Sequence, residues 1–344
     1  MLGTVLWFTF FLVLLKSLLG IIAFFGVLLI SILIFIAGTK NKKKKVVLVS
    51  LFFLAVLLPS IYTGNVIKDF YRFEKIDPGK VEKYTPSGNP YHHNFDQEMR
   101  ENGHLVYVYL CEKELRQEWN KRSEIKYDDN LNGYILGSTL IRYLTSLGYR
   151  KDSVGISKLT EKDIQLIQEG VTNYKFRNHL FSLYPRIYET IWELDYYKRT
   201  GDPNEKTLAQ RIEYVKASLI LIKENFFFGI GTGNWVLKYN EVYDRMDTKL
   251  SPEKRGPSHN QYLNYLVKFG IVGFIWIIFA LLYPVFELEH RNNLVFILFL
   301  VFYALANLGD ANLESHMGLS FFTFFYSFFL WNSTEKMKKS IHRT

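Results

Sequence analysis

The sequence predicts a mainly α, polytopic membrane protein with about six spans and a large, mostly helical extracytoplasmic loop domain. Three observations carry that reading. Residues 1–63 and 262–331 are almost wholly apolar, while most of the charge and proline lies between them, so the near-zero mean hydropathy averages two populations. Several apolar runs approach or reach the roughly 20 residues that a helix needs to cross a hydrocarbon core. Lysines then gather at the ends of those runs: Lys40 with Lys42, Lys43, Lys44 and Lys45, and Lys336 with Lys338, Lys339 and Arg343.

The best spans are residues 18–37, 46–62, 262–286, 293–308 and 318–331. Residues 2–15 are apolar but short and lack a basic start, which fits a clipped span better than a cleaved signal. The positive-inside rule places both lysine clusters in the cytoplasm, so the number of spans between them must be even, and four are present. That parity puts 64–261 outside as one loop domain between the N-terminal spans (1–63) and the C-terminal spans (262–331), with 332–344 a basic cytoplasmic tail. The net charge of +9 owes much to these boundary clusters, which argues against a nucleic-acid partner. Cys111 stands alone, so no internal disulfide can form and a four-cysteine metal site is excluded.

Within the outer region, Pro78, Pro86 and Pro90 predict an irregular connector over 64–95. Leu136, Leu140, Tyr143, Leu144 and Leu147 fall at helical spacing, and Thr160 with Asp163 has the form of a capping box before Ile164, Ile167 and Val171. Residues 105–110 are the best strand candidate. A helix over 207–224 carries an apolar face of Leu208, Ile212, Val215, Leu219 and Ile222 with Arg211 at its edge, as in a helix that lies on or dips into a bilayer surface.

Two motifs could carry chemistry. Gly-Ile-Gly-Thr-Gly-Asn-Trp at 229–235 lets backbone amides approach an anionic or sugar ligand, with Gly229, Gly231, Gly233 and Asn234 as candidate contacts. The same composition also suits a plain tight turn. Ser258-His259-Asn260 stands at the mouth of a span, where an imidazole, with an unperturbed pKa near about 6.5, can act as a general base or simply sit at the interface bonded to a carbonyl. Asn260 could orient it or bind substrate. Ionisable groups near membrane depth are costly and attract functional readings. By the parity above, Lys16, Arg211, His259, Asp310 and Glu314 can meet near one membrane face, although Asp310 could equally be a solvated loop residue. His92-His93 reads as exposed, and the absence of a zinc helix or an Asp-x-Asp motif favours a metal-independent site without cofactor.

The order of an arginine helix, Gly-Ile-Gly-Thr-Gly-Asn-Trp, His259-Asn260 and Phe-Gly-Ile-Val-Gly at 269–273 resembles the O-antigen ligase and polymerase family. Asn132-Gly133-Tyr134, Arg142-Tyr143-Leu144 and Gly170-Val171-Thr172-Asn173 resemble the enlarged outer loop of Bacteroidetes-type members. The resemblance is most specific over about 207–275, and with about six spans the chain is similar to the C-terminal half of a full-length member.

The resemblance implies a glycosyltransferase of the bacterial inner membrane that serves lipopolysaccharide biosynthesis. Such an enzyme moves a glycan from undecaprenyl diphosphate to a hydroxyl of lipid A-core, or, as a polymerase, to another lipid-linked repeat. It maps the family's histidine onto His259 as base and its loop arginine onto Arg211, with Lys16 or Arg255 assisting at the diphosphate. A second family arginine falls near Lys16, where lysine offers a point charge but no fork. A non-catalytic polysaccharide assembly or export component is the alternative from another class.

Overall fold

The computed structural model of the protein describes residues 7, 10, 11, 14, 15, 17–131, 133–177, 182–287 and 293–341. The chain is mainly helical and divides into two compact units, one of 58–192 and one of 1–57 with 193–344.

The unit 58–192 holds helices α3 (Glu112–Arg122), α4 (Leu136–Ser146), α5 (Ser153–Ser157) and α6 (Glu161–Gln168), with two antiparallel pairs, β1 (Arg100–Glu101) to β2 (His104–Leu105) and β3 (Asn130–Leu131) to β4 (Tyr134–Ile135). Its core gathers Leu115, Trp119, Leu136, Leu140, Tyr143, Leu144, Ile156 and Ile167, each worth about 1.5–3 kcal/mol of burial if aliphatic. The Trp119 indole donates to Ile125 O at 2.9 Å, which satisfies its one polar atom. The expected periodicity of α4 is real but understated, since Thr139, Thr145 and Ser146 are buried as well. Thr145 and Ser146 donate to Ile141 O and Tyr143 O, so these hydroxyls enter the core without an unmet donor.

The capping box is present: Asp163 N donates to Thr160 Oγ1 at 3.2 Å and Thr160 N donates to the Asp163 carboxylate at 3.0 Å. The strand expected at 105–110 is not. Leu105 closes β2 opposite Arg100, and beyond it Val106, Val108 and Leu110 are buried in alternation, but Tyr109 has φ of +57°, and of 106–110 only Leu110 bridges, to His92 and Lys151. The period-two pattern reports burial there rather than pairing. The irregular connector is also shorter than expected, because the second long helix runs on to Phe70 before the chain becomes irregular.

Buried charge among the described residues of this unit includes Glu101, Glu114, Lys151 and Asp152. Glu101 is buried against Arg142 at 2.6 Å and accepts from Asn173 at 2.7 Å, which gives two of the outer-loop motifs a structural role; Asn132 of the third lies outside the described residues. Lys151 is buried with Nζ donating to Leu105 O at 3.2 Å. Burial holds its amine down at about 7, helped by the Arg150 charge and opposed by Asp152 and Glu74. The folded state therefore loses this proton near pH 7, whereas the unfolded chain keeps it to about 10.4, so stability rises with pH between those values. Unfolding midpoints followed by near-ultraviolet circular dichroism should climb from pH 7 to 9 in the wild-type chain and lose that slope in Lys151→Met; an unchanged slope would refute the assignment.

α1 (Leu18–Gly38) and α10 (Gln261–Glu287) of the other unit, and α2 (Lys42–Phe70), whose first part belongs to it, are each long and apolar enough to cross a membrane. Between α2 and α10 come α7 (Tyr184–Thr200), α8 (Thr207–Glu224) and α9 (Trp235–Arg245). α11 (Leu294–Ala306) is apolar but rises only about 20 Å, short of a hydrocarbon core of about 30 Å, and α12 (His316–Ile341) follows it. α1 lies against α11 where glycine permits it: a Cβ on Gly26 would come 2.5 Å from Leu305, and Leu19 fills the space beside Gly309. Gln261 N donates to Asn307 O at 3.0 Å. The first turn of α1, the start of α10, the end of α11 and the start of α12 thus meet around residues 307–316, and this convergence positions the site.

Candidate active site

Helix α8 has the predicted limits, but its buried face differs from the expected one. Ala209, Glu213, Tyr214, Ala217, Ser218 and Leu221 face inward, while Leu219 of the expected apolar face is about half exposed. Small residues let α8 approach α10 closely, and they win over the larger aliphatics that the periodicity singled out. Arg211 sits at the edge of this face and donates from Nη1 to Gly309 O at 2.6 Å.

Beyond α8 the chain enters the glycine turn, and its partner is a break in α10. Gly270 has φ 61° and ψ −172°, a region open essentially to glycine alone. The break would orphan two amides and two carbonyls, each costing about 1–3 kcal/mol if buried unpaired. The turn takes all four: Ile271 N and Val272 N donate to Phe226 O and Phe227 O, while Ile230 N and Gly231 N donate to Val267 O and Lys268 O. Gly229, at φ 69°, allows the approach, since a Cβ there would lie 2.6 Å from Lys268 O.

The amides of Gly229 and Gly231, expected to face a ligand, are therefore donated to Asn225 O and Lys268 O. That expectation is corrected: these glycines splice a broken helix. Gly233 and Asn234 lie on the exposed side of the turn, and the Asn234 carbonyl receives Lys238 N as α9 begins. Gly270→Val should destabilise the chain by more than about 2 kcal/mol, because the side chain adds a forbidden backbone conformation to a collision with Phe227. Gly256→Ala, with open space around its Cβ, should melt like the wild type, and equal melting of both variants would contradict the splice.

The segment before His259 is braced from α8 and α9. Tyr214 donates to Lys254 O at 2.7 Å and Tyr243 to Gly256 O at 2.6 Å. Burial pushes both phenols above their ordinary range, so they remain donors at any physiological pH. Ser258 is buried and donates to Asn264 Oδ1 at 2.7 Å. Asn260 caps α10, accepting from Tyr262 N and Leu263 N at 3.0 Å while its amide reaches Leu308 O at 2.9 Å. These bonds fix the backbone beside His259. The His259 ring lies 5.7 Å from that of Tyr214, and Nδ1 is 3.3 Å from Asp310 Oδ1. A carboxylate only accepts, so a neutral ring in this contact carries its proton on Nδ1 and leaves the Nε2 lone pair free.

One short strap, residues 309–314, receives most of these groups. Arg211 binds Gly309 O, His259 binds Asp310, Gln261 Oε1 accepts from Leu313 N at 2.8 Å, and Lys268 reaches Glu314 at 2.8 Å. The sequence reading brought together Arg211, His259, Asp310 and Glu314. It missed Tyr214, Tyr243 and Gln261, whose roles depend on distant backbone carbonyls or amides, and it passed over Lys268 although that residue is the one basic group between 261 and 287. Arg255 is held by Asp244 at 2.7 Å, and Lys16 lies outside the described residues. His92 is exposed as expected, whereas His93 is half-buried, with Nε2 2.9 Å from Glu82 O and Nδ1 accepting from Tyr109 N at 3.2 Å.

The family model described as O-antigen ligase matches residues 160–278, about a third of the chain. This stretch is an O-antigen ligase family segment. No curated protein and no solved structure matches the chain. The O-antigen ligase segment holds α8, the glycine turn, His259 and the break in α10, while the strap that receives them follows it. This match supports a membrane protein with a glycosyltransferase-type role in O-antigen synthesis.

Proposed function

We propose that the chain is an O-antigen ligase-like transferase of the bacterial inner membrane, with its outer region in the periplasm, moving a glycan from undecaprenyl diphosphate to a hydroxyl of lipid A-core. The observation that carries this is the joint address of His259 and Arg211 on Asp310 and Gly309, adjacent residues whose Cα atoms lie about 3.8 Å apart. A base and a cation so placed suit a displacement at an anomeric carbon.

In that step the acceptor hydroxyl gives its proton to His259 Nε2, and its oxygen attacks the anomeric carbon. The bond from that carbon to the phosphate oxygen breaks, and undecaprenyl diphosphate leaves with the electron pair. Asp310 holds the ring in its productive tautomer and stabilises the imidazolium, as in other carboxylate–histidine pairs. Arg211 has guanidinium donors beyond the one given to Gly309 and can present them to the leaving diphosphate. The reading invokes no metal, and a single displacement inverts the anomeric configuration.

A deletion strain tests the assignment. Loss of glycan on lipid A-core with full-length polymer accumulating on the carrier is the expected result. Single repeat units on core would instead select a polymerase, and unchanged glycosylation would refute transfer altogether.

A further inference from the structure

We infer that Lys268, held in waiting by Glu314, is a second diphosphate-binding cation, a role that rests on the transferase reading above. Lys268 is the one basic residue between 261 and 287, and its side chain is only 16% exposed. Charges within spans are costly to keep and tend to mark substrate paths. Its backbone position is fixed, because its carbonyl receives Gly231 N in the splice of the broken helix. Its Nζ lies 2.8 Å from Glu314 Oε2 and 5.7 Å from the Trp235 ring centre. A half-buried ion pair adds little net stability, since an apolar pair of similar size would hold the same helices together.

The position suits the ligand. Lys268 lies two turns, about 10 Å, along α10 from Gln261, further than His259 into a helix long and apolar enough to span a bilayer. A polyprenyl diphosphate sugar entering with its tail in the bilayer presents its diphosphate between tail and sugar. The cation for that diphosphate therefore belongs deeper than the base. Arg211 brings one positive charge, with one donor committed to Gly309, against a leaving group carrying at least two negative charges. Arg255 is committed to Asp244. Lys268 can pass from the Glu314 carboxylate to a phosphate oxygen, exchanging one charge-assisted bond for another.

Binding to the full chain in nanodiscs tests this, with undecaprenyl diphosphate as probe and undecaprenol as the phosphate-free arm. Lys268→Met should weaken diphosphate binding by about tenfold or more, leave undecaprenol binding unchanged, and be rescued to within a few-fold by Lys268→Arg. Glu314→Gln, which removes a competing negative charge while keeping an acceptor, should tighten diphosphate binding. A purely structural pair predicts the opposite: both neutral variants lose binding alike, and that result overturns the inference. Wild-type affinity in Lys268→Met, with Arg211→Lys weakened, removes only the role of Lys268. A wild-type chain that binds no undecaprenyl diphosphate overturns the carrier reading and this inference with it.

Discussion

His259→Ala is expected to abolish glycan transfer while the chain still inserts and melts normally. The side chain is about half exposed, and among the described residues its one polar contact is the 3.3 Å approach to Asp310, so its loss leaves none of them buried and unpaired. The surrounding frame does not depend on it: Asn260 caps α10, and Tyr214 and Tyr243 hold carbonyls of the preceding segment. The chemical loss is large because a positioned base is worth about 10²–10⁴-fold in rate. Transfer onto lipid A-core in a complemented deletion strain, read beside membrane abundance, checks both halves. Wild-type transfer by a correctly inserted His259→Ala chain would end the base assignment.

Arg211→Lys carries the second large expectation, a loss of at least about 30-fold despite retained charge. The guanidinium serves two directions at once, donating from Nη1 to Gly309 O at 2.6 Å and offering its remaining donors in a fixed plane. A lysine in that place has a single nitrogen. If it holds Gly309 O it presents no planar pair to the diphosphate, and if it turns to the diphosphate the strap carrying Asp310 loses a tie. Charge-assisted bidentate contacts to phosphate are roughly twice as strong as neutral ones, and they set orientation as well as affinity. Initial rates with purified donor and acceptor should fall while the melting midpoint moves little. Wild-type turnover would show that a point charge suffices.

Local features were legible to the degree that neighbouring residues decide them. The limits of α8, the capping box at Thr160 and Asp163, and the long apolar helices follow from spacing, capping chemistry and run length. The strand expected at 105–110 failed because burial with period two does not require a paired neighbour, and Tyr109 turns the backbone instead. The inward face of α8 was misread for a related reason: periodicity ranks residues by size and hydrophobicity, whereas close helix approach selects alanine and serine.

The sequence by itself determined the apolar helices, the order of arginine, glycine turn and histidine, and through that order the O-antigen ligase likeness over 160–278. These are encoded in runs and spacings that no fold is needed to read. Tertiary structure alone decided what the glycines do and where the charges go. The turn at 226–231 closes a break some 40 residues later, and the 309–314 strap gathers Arg211, His259, Gln261 and Lys268 from up to about 100 residues away. Such bonds satisfy backbone and charged groups that only the packed helices leave unpaired, so no local pattern announces them.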